Sequence, residues 1–115
     1  MEETPVIDIE IVQGEDFELR FRMLDSNRDP VSFAGQTFAM MIRAEIDEPV
    51  VANLTSENGK ISWDEDSGVF TVQMSGSETG KLKLEDTGVY DLFAYGAKSD
   101  KLIRGAVSFE RSVTR

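Results

Sequence analysis

A chain of 115 residues with 40% apolar and 30% charged side chains suits one folded core, so residues 1–115 are expected to form a single domain rather than a disordered segment. Cysteine and histidine are both absent. Disulfides, thiolate metal sites, cysteine nucleophiles and imidazole bases are therefore excluded together, and assembly in a reducing cytoplasm is expected. Twelve basic residues against 22 acidic ones give a net charge of −10, which disfavours nucleic acid and anionic membrane as partners and favours a basic protein face.

The N-terminal residues Met1 to Asp8 lack a basic stretch followed by an apolar core, and no apolar run approaches the ~20 residues of a membrane span. Neither a secretory leader nor a membrane anchor is expected. Ile7, Ile9 and Ile11 alternate with Asp8, Glu10 and Val12 until Gly14 breaks the run. The clearest pattern follows: Phe17, Leu19, Phe21 and Met23 alternate strictly with Asp16, Glu18, Arg20 and Arg22. A period of two predicts a strand with one buried face and one wet face.

Phe38, Met40, Ile42 and Ala44 alternate with Thr37, Ala39, Met41 and Arg43. Met41 leaves the second face partly apolar, which predicts cover on both sides. A short strand at Val50, Ala52 and Leu54 follows Pro49, and Asn58-Gly59 then predicts a tight hairpin turn into Ile61 and Trp63. Asp64 to Gly68 reads as a turn, and Val69–Met74 as a strand. Ser77–Leu84 is the one helix candidate, with Ser77 as its cap and glycines limiting it to a turn or two. Tyr90–Tyr95 and Lys101–Phe109 complete about eight strands at spacings typical of an antiparallel β-sandwich. Residues 1–4 and 112–115 are expected to be flexible arms.

Asp86-Thr87-Gly88-Val89-Tyr90 resembles the Asp-x-Gly/Ala-x-Tyr turn of immunoglobulin-like sandwiches. The resemblance implies a structural corner of Asp86, Gly88 and Tyr90, in which the tyrosine hydroxyl returns to backbone upstream. Leu92 then stands where such domains often place their second cysteine. The fold class expected is thus all-β, an immunoglobulin-like antiparallel sandwich.

A second resemblance spans most of the chain. Ile11-Val12-Gln13-Gly14-Glu15-Asp16-Phe17-Glu18-Leu19, then Asp25 to Val31, then Phe33-Ala34-Gly35-Gln36-Thr37 resemble the opening of small tailed-phage virion proteins. The N-terminal domain of baseplate upper proteins is similar. Later matches are Gly59-Lys60-Ile61, Ser67-Gly68-Val69-Phe70-Thr71, Tyr90-Asp91-Leu92, and the ending from Gly105 to Arg115. Arg28 departs from the pattern by standing where the family more often has a turn glycine, and Ser32-Phe33 replaces a polar-Leu pair.

This resemblance implies a non-enzymatic phage or prophage structural protein, made in the host bacterial cytoplasm and resident in the virion. It would act as a tail, baseplate or neck adaptor, or as a capsid decoration protein. Its partners would be other virion proteins, with a symmetric homo-oligomer in the particle and no cofactor.

Among individual residues, Glu18, Arg20 and Arg22 form a charged outer strand face that suits contact with a neighbouring subunit. Phe33 lies in a loop-like segment between Pro30 and Gly35 and is the aromatic best placed to anchor an interface. Arg111, Val113 and Arg115 form a C-terminal arm whose cations stand out on an acidic chain. Two acidic stretches, Asp25 to Asp29 and Asp64 to Asp66, have the composition of turns and lack the glycine and distal glutamate of an EF-hand loop. No spacing marks a carboxylate pair, nucleophile elbow or phosphate loop. The rival to a virion subunit is a carbohydrate-binding or host-adhesion module, which predicts an exposed Trp63 and calcium at Asp25, Asn27 and Asp29.

Overall fold

The computed structural model describes residues 4–112. Eight strands occupy Ile9–Val12 (β1), Phe17–Arg22 (β2), Thr37–Arg43 (β3), Val50–Thr55 (β4), Ile61–Trp63 (β5), Val69–Met74 (β6), Thr87–Tyr95 (β7) and Ser99–Glu110 (β8). One helical turn, Gly76–Thr79 (α1), lies between β6 and β7. The strands form a five-stranded sheet, β1-β8-β7-β3-β4, and a three-stranded sheet, β2-β6-β5. All pairings are antiparallel except β1 with β8, where Ile9 to Val12 run beside Val107 to Glu110 in parallel. This is the two-sheet sandwich expected from the alternation.

Period-two patterning places the core between the sheets. In β3, Phe38, Met40 and Ile42 are buried, and in β7 Tyr90, Leu92 and Ala94 are buried. They meet Phe17, Phe70, Val72 and Met74 of the smaller sheet in one cluster. β8 breaks strict alternation at Leu102-Ile103, both buried. The register with β7 slips there, Leu92 facing Ile103 and Phe93 facing Lys101. This β-bulge absorbs one extra residue, so Lys101 and Arg104 share the outer face although three positions separate them.

Three local expectations are corrected. Asn58-Gly59 does not close a hairpin within one sheet, because β4 pairs with β3 while β5 pairs with β6. It turns the chain from one sheet to the other, with only Gly59 of the pair at positive φ (+81°). The helix cap is Ser75 rather than Ser77: Ser75 accepts from the Glu78 amide at 3.2 Å, and Glu78 reciprocates to the Ser75 amide at 3.0 Å. That capping box satisfies two amides of a single turn. The Lys60 ammonium, 2.7 Å from Glu78, and the Ser75 amide together hold the Glu78 carboxyl below its usual pKa. Lastly, Ser112 is not a loose arm. Its amide donates to Gln13 Oε1 at 3.0 Å and its hydroxyl to the Gln13 carbonyl at 2.7 Å.

Candidate protein-docking face

Phe33, the expected interface anchor, is only 7% exposed. Its ring packs edge-on against Phe38, Trp63 and Phe70, with centroids 5.9, 5.8 and 5.3 Å away. Irregular backbone near Pro30 made it look like a loop residue, yet the segment folds inward over the open end of the sandwich. It is core. Trp63 is partly buried against the same cluster, with its indole nitrogen enclosed, so it is not the exposed platform that the sugar-binding reading predicts.

Glu18, Arg20 and Arg22 do project outward from β2, an edge strand of the smaller sheet. Glu18 and Arg20 contact each other only loosely, at 3.9 Å. Arg111 is exposed and sits 3.9 Å from Asp86, itself exposed, while Val113 and Arg115 lie outside the described residues. The three groups occupy different parts of the surface, and no common site gathers them.

Both acidic stretches are engaged as turns. Asp25 Oδ1 accepts the Asn27 and Asp29 amides at 2.8 and 3.0 Å. Asp64 accepts the Asp66 amide and the Ser67 hydroxyl, each at 3.0 Å. Among the described residues no cluster of three or more acidic groups has a metal-holding arrangement.

In the corner motif, Gly88 packs so closely on the Arg43 carbonyl and Leu84 that a Cβ would stand 2.8 Å from that oxygen. Tyr90 sends its hydroxyl to backbone upstream, to the carbonyl of Ile7, 83 residues earlier in the chain. Burial, with a smaller push from the charge of Asp8, raises its pKa to about 12. Around this bond the N-terminal segment is stitched along β8. The Ile7 amide donates to the Arg104 carbonyl at 2.8 Å, the Arg104 amide to the Pro5 carbonyl at 3.1 Å, and the Ala106 amide to Asp8 Oδ1 at 3.0 Å. Gly105 permits the crossing, since any Cβ there would collide with the Ile7 carbonyl.

The segment thereby forms one wall of a trough on the outer face of the five-stranded sheet. The trough encloses about 590 Å³. Its floor has two rows across β3, β7 and β8: Met41, Asp91 and Arg104, then Arg43, Val89 and Ala106. Val6 rims one side and Ile46, on the β3–β4 loop, rims the other. They are 57% and 79% exposed. The Arg43 guanidinium is steadied by a 2.7 Å bond to the Glu48 carbonyl.

Further along the same face, Phe93 stacks on Tyr95 with centroids 5.8 Å apart. The Lys101 ammonium lies 5.6 Å from the centroid of the Phe93 ring and 3.9 Å from Asp91. Met41 is half-buried here, and no further layer among the described residues covers it. Among the described residues, four of the five exposed large apolar side chains, Val6, Ile46, Val50 and Tyr95, belong to this face or its rim. Only Leu24 lies elsewhere. Scattered exposed apolar groups are ordinary; grouped ones mark a contact surface.

Sequence reading missed this face. Its apolar residues come from the N-terminus, a loop and three strands that are not consecutive, and only Met41 broke a polar register visibly.

No protein-family model matches the chain, and no curated protein matches it. Solved structures do. The extracellular domain of the voltage-gated sodium channel beta4 subunit, described as forming parallel homodimers with a role in cell-cell adhesion, is similar at a TM-score of 0.53 and 10% identity, over 98% of each chain. A voltage-gated sodium channel beta subunit studied for multimeric cell-adhesive interactions is similar at 0.51 and 11% identity, over 93% of this chain and 92% of that one. Identities this low speak for the fold alone. The larger sheet matches the G-F-C sheet of immunoglobulin domains, extended by a strand at each edge, and the smaller sheet matches the B-E-D part of the other. The chain has the immunoglobulin-like β-sandwich fold.

Proposed function

We propose that this chain is a non-enzymatic structural subunit that docks onto other proteins through the outer face of its five-stranded sheet. The observation that carries this reading is the placement of Val6 and Ile46 on the rim of the trough, with Val50 and Tyr95 exposed on the same sheet face. Leaving that many large apolar groups in water costs roughly 25 cal/mol per Å², a cost that a partner removes. A rigid sheet beneath them supplies a docking surface that needs little reordering.

The resemblance to small tailed-phage virion proteins supports a more particular setting: a tail, baseplate or neck adaptor, or a head-decorating protein, within a bacteriophage particle. Repetition by symmetry would then multiply a modest contact. An adhesion role is the second reading, favoured by the sodium channel beta subunits of the same fold, one described through homodimers and both through adhesion.

The test is mass spectrometry of particles banded from induced cultures of the bacterium that carries the gene. Stoichiometric recovery with capsid or tail proteins supports the virion setting. Recovery only from cell envelopes would overturn it.

A further inference from the structure

The charges of the trough specify what docks there. Five charged groups line it: Asp8, Asp91, Arg43, Lys101 and Arg104. Of the two acids, Asp8 accepts the Ala106 amide at 3.0 Å, and Asp91 stands 3.9 Å from Lys101. Arg43 and Arg104 have no carboxylate within 4.0 Å among the described residues. The trough thus holds three cations and two carboxylates, a net charge of +1 on a chain of net charge −10, and the two guanidiniums are its cations without a carboxylate partner. Glu45, Asp47 and Glu48 share the loop that carries Ile46, so a seated carboxylate is held by direct pairing with the guanidiniums rather than by the surrounding field.

We propose that the trough receives an extended acidic segment of a partner protein, bearing two carboxylates four residues apart with an apolar side chain midway. The inference rests on the docking reading above. Its spacing comes from the sheet. Arg43 and Arg104 stand on β3 and β8, on either side of β7, and in adjacent rows. Two strand spacings and a row offset of about 7 Å separate their backbones by about 12 Å. In an extended segment, residues i and i+4 face the same way about 13 Å apart, with i+2 between them. Carboxylates at the two ends reach the two guanidiniums, which favour bidentate pairing with carboxylate. The midway side chain lies over β7 between Val89 and Asp91, with Met41 beside them on β3 and with Ile46 and Val6 on the flanks.

The test uses a blocked peptide, Ser-Gly-Glu-Ser-Leu-Ser-Glu-Gly-Ser, titrated into the full-length protein and followed by nitrogen-15 amide shifts. A control peptide carries lysine in place of both glutamates. The expected result is saturable shifts at Val89, Asp91, Arg104 and Ala106 with the acidic peptide alone, weakening with added salt. Binding should fall about tenfold in the Arg43→Gln/Arg104→Gln variant, the loss of two charge-assisted contacts. Arg104→Gln alone, at an exposed position, serves if the double variant loses its native amide spectrum.

Equal shifts with the lysine peptide, shifts elsewhere, or indifference to both variants would overturn the proposal. Concentration-dependent dimers abolished by Ile46→Ser, with the acidic peptide silent, would also overturn it while upholding the docking reading. If neither peptide nor any partner protects this face in assembled particles, both fail.

Discussion

The two ends of the sandwich draw on the same polar residue types and use them in opposite ways. At the end carrying α1, polar side chains join segments far apart in the chain. Thr79, fully buried, accepts the Gly14 amide at 3.0 Å and donates to the Glu15 carbonyl at 2.8 Å. Asp16 accepts the Gly76 amide at 2.7 Å, and Gln13 binds Ser112 twice. At the other end, Asp25 and Asp64 bond only to residues within four positions. A local turn bond shapes a loop that the unfolded chain already samples in part. A long-range bond from a buried side chain such as Thr79 or Gln13 exists only in the folded state, and losing it removes a tie between distant segments and leaves partly buried groups short of a partner. The tied end should therefore carry stability, and the turn end only shape.

Substitutions can break or sharpen that contrast. Thr79→Val keeps shape and deletes the hydroxyl, leaving the Gly14 amide and Glu15 carbonyl unpaired. It should cost about 2–3 kcal/mol, read as a shift of the urea midpoint at constant slope.

Tyr90→Phe cuts the bond to Ile7, another long-range tie, and should cost about 1 kcal/mol. It also has a pH signature. A folded pKa raised to about 12 from the ordinary 10.0 of tyrosine means the folded state holds its proton more tightly than the unfolded state. The stability gained is fully present below pH 10 and lost as pH rises toward about 12. Denaturation midpoints measured across that window should fall for the native protein, and the Phe variant should lack this component.

Asp64→Ala, at the turn end, should cost about 1 kcal/mol or less by the same urea assay. A loss matching that of Thr79→Val would erase the contrast.

The smallest effect has the opposite sign. Arg28 is the sole non-glycine at positive φ (+67°) among the described residues. A left-handed residue costs about 1–2 kcal/mol, and glycine's extra chain entropy returns part of the gain from replacing it. Arg28→Gly should therefore raise stability by about 0.5 kcal/mol, detectable as a small rise in thermal midpoint.

The same distinction explains what was legible beforehand. Strands β2, β3 and β6 could be read because alternation is a local property of neighbouring residues. The acidic turns could be read for the same reason, and Arg28 already stood out where the resembling proteins carry a turn glycine. Phe33 was misplaced because proline and glycine around it signal a loop, and no local pattern records that a loop folds back over the core. Gln13 and Thr79 carried no signal at all, since their partners lie 64 to 99 positions away.

The docking face fell between these cases. Each strand shows its outward residues, but their grouping depends on the order β1-β8-β7-β3-β4 and on the bulge that aligns Lys101 with Arg104. Tyr90 stands out through its motif, which points to backbone upstream without naming Ile7 as the partner.

For the virion setting proposed above, the most direct trial sets two surface variants against each other during particle assembly. In one, Ile46 and Tyr95 become serine; in the other, Glu18, Arg20 and Arg22 do. Both are expected to fold, because all five side chains face outward. With native and variant proteins supplied together, mass spectrometry of purified particles should find the Ile46→Ser/Tyr95→Ser protein depleted and the β2 variant incorporated normally. The reverse pattern would place the working surface on the smaller sheet and contradict the account.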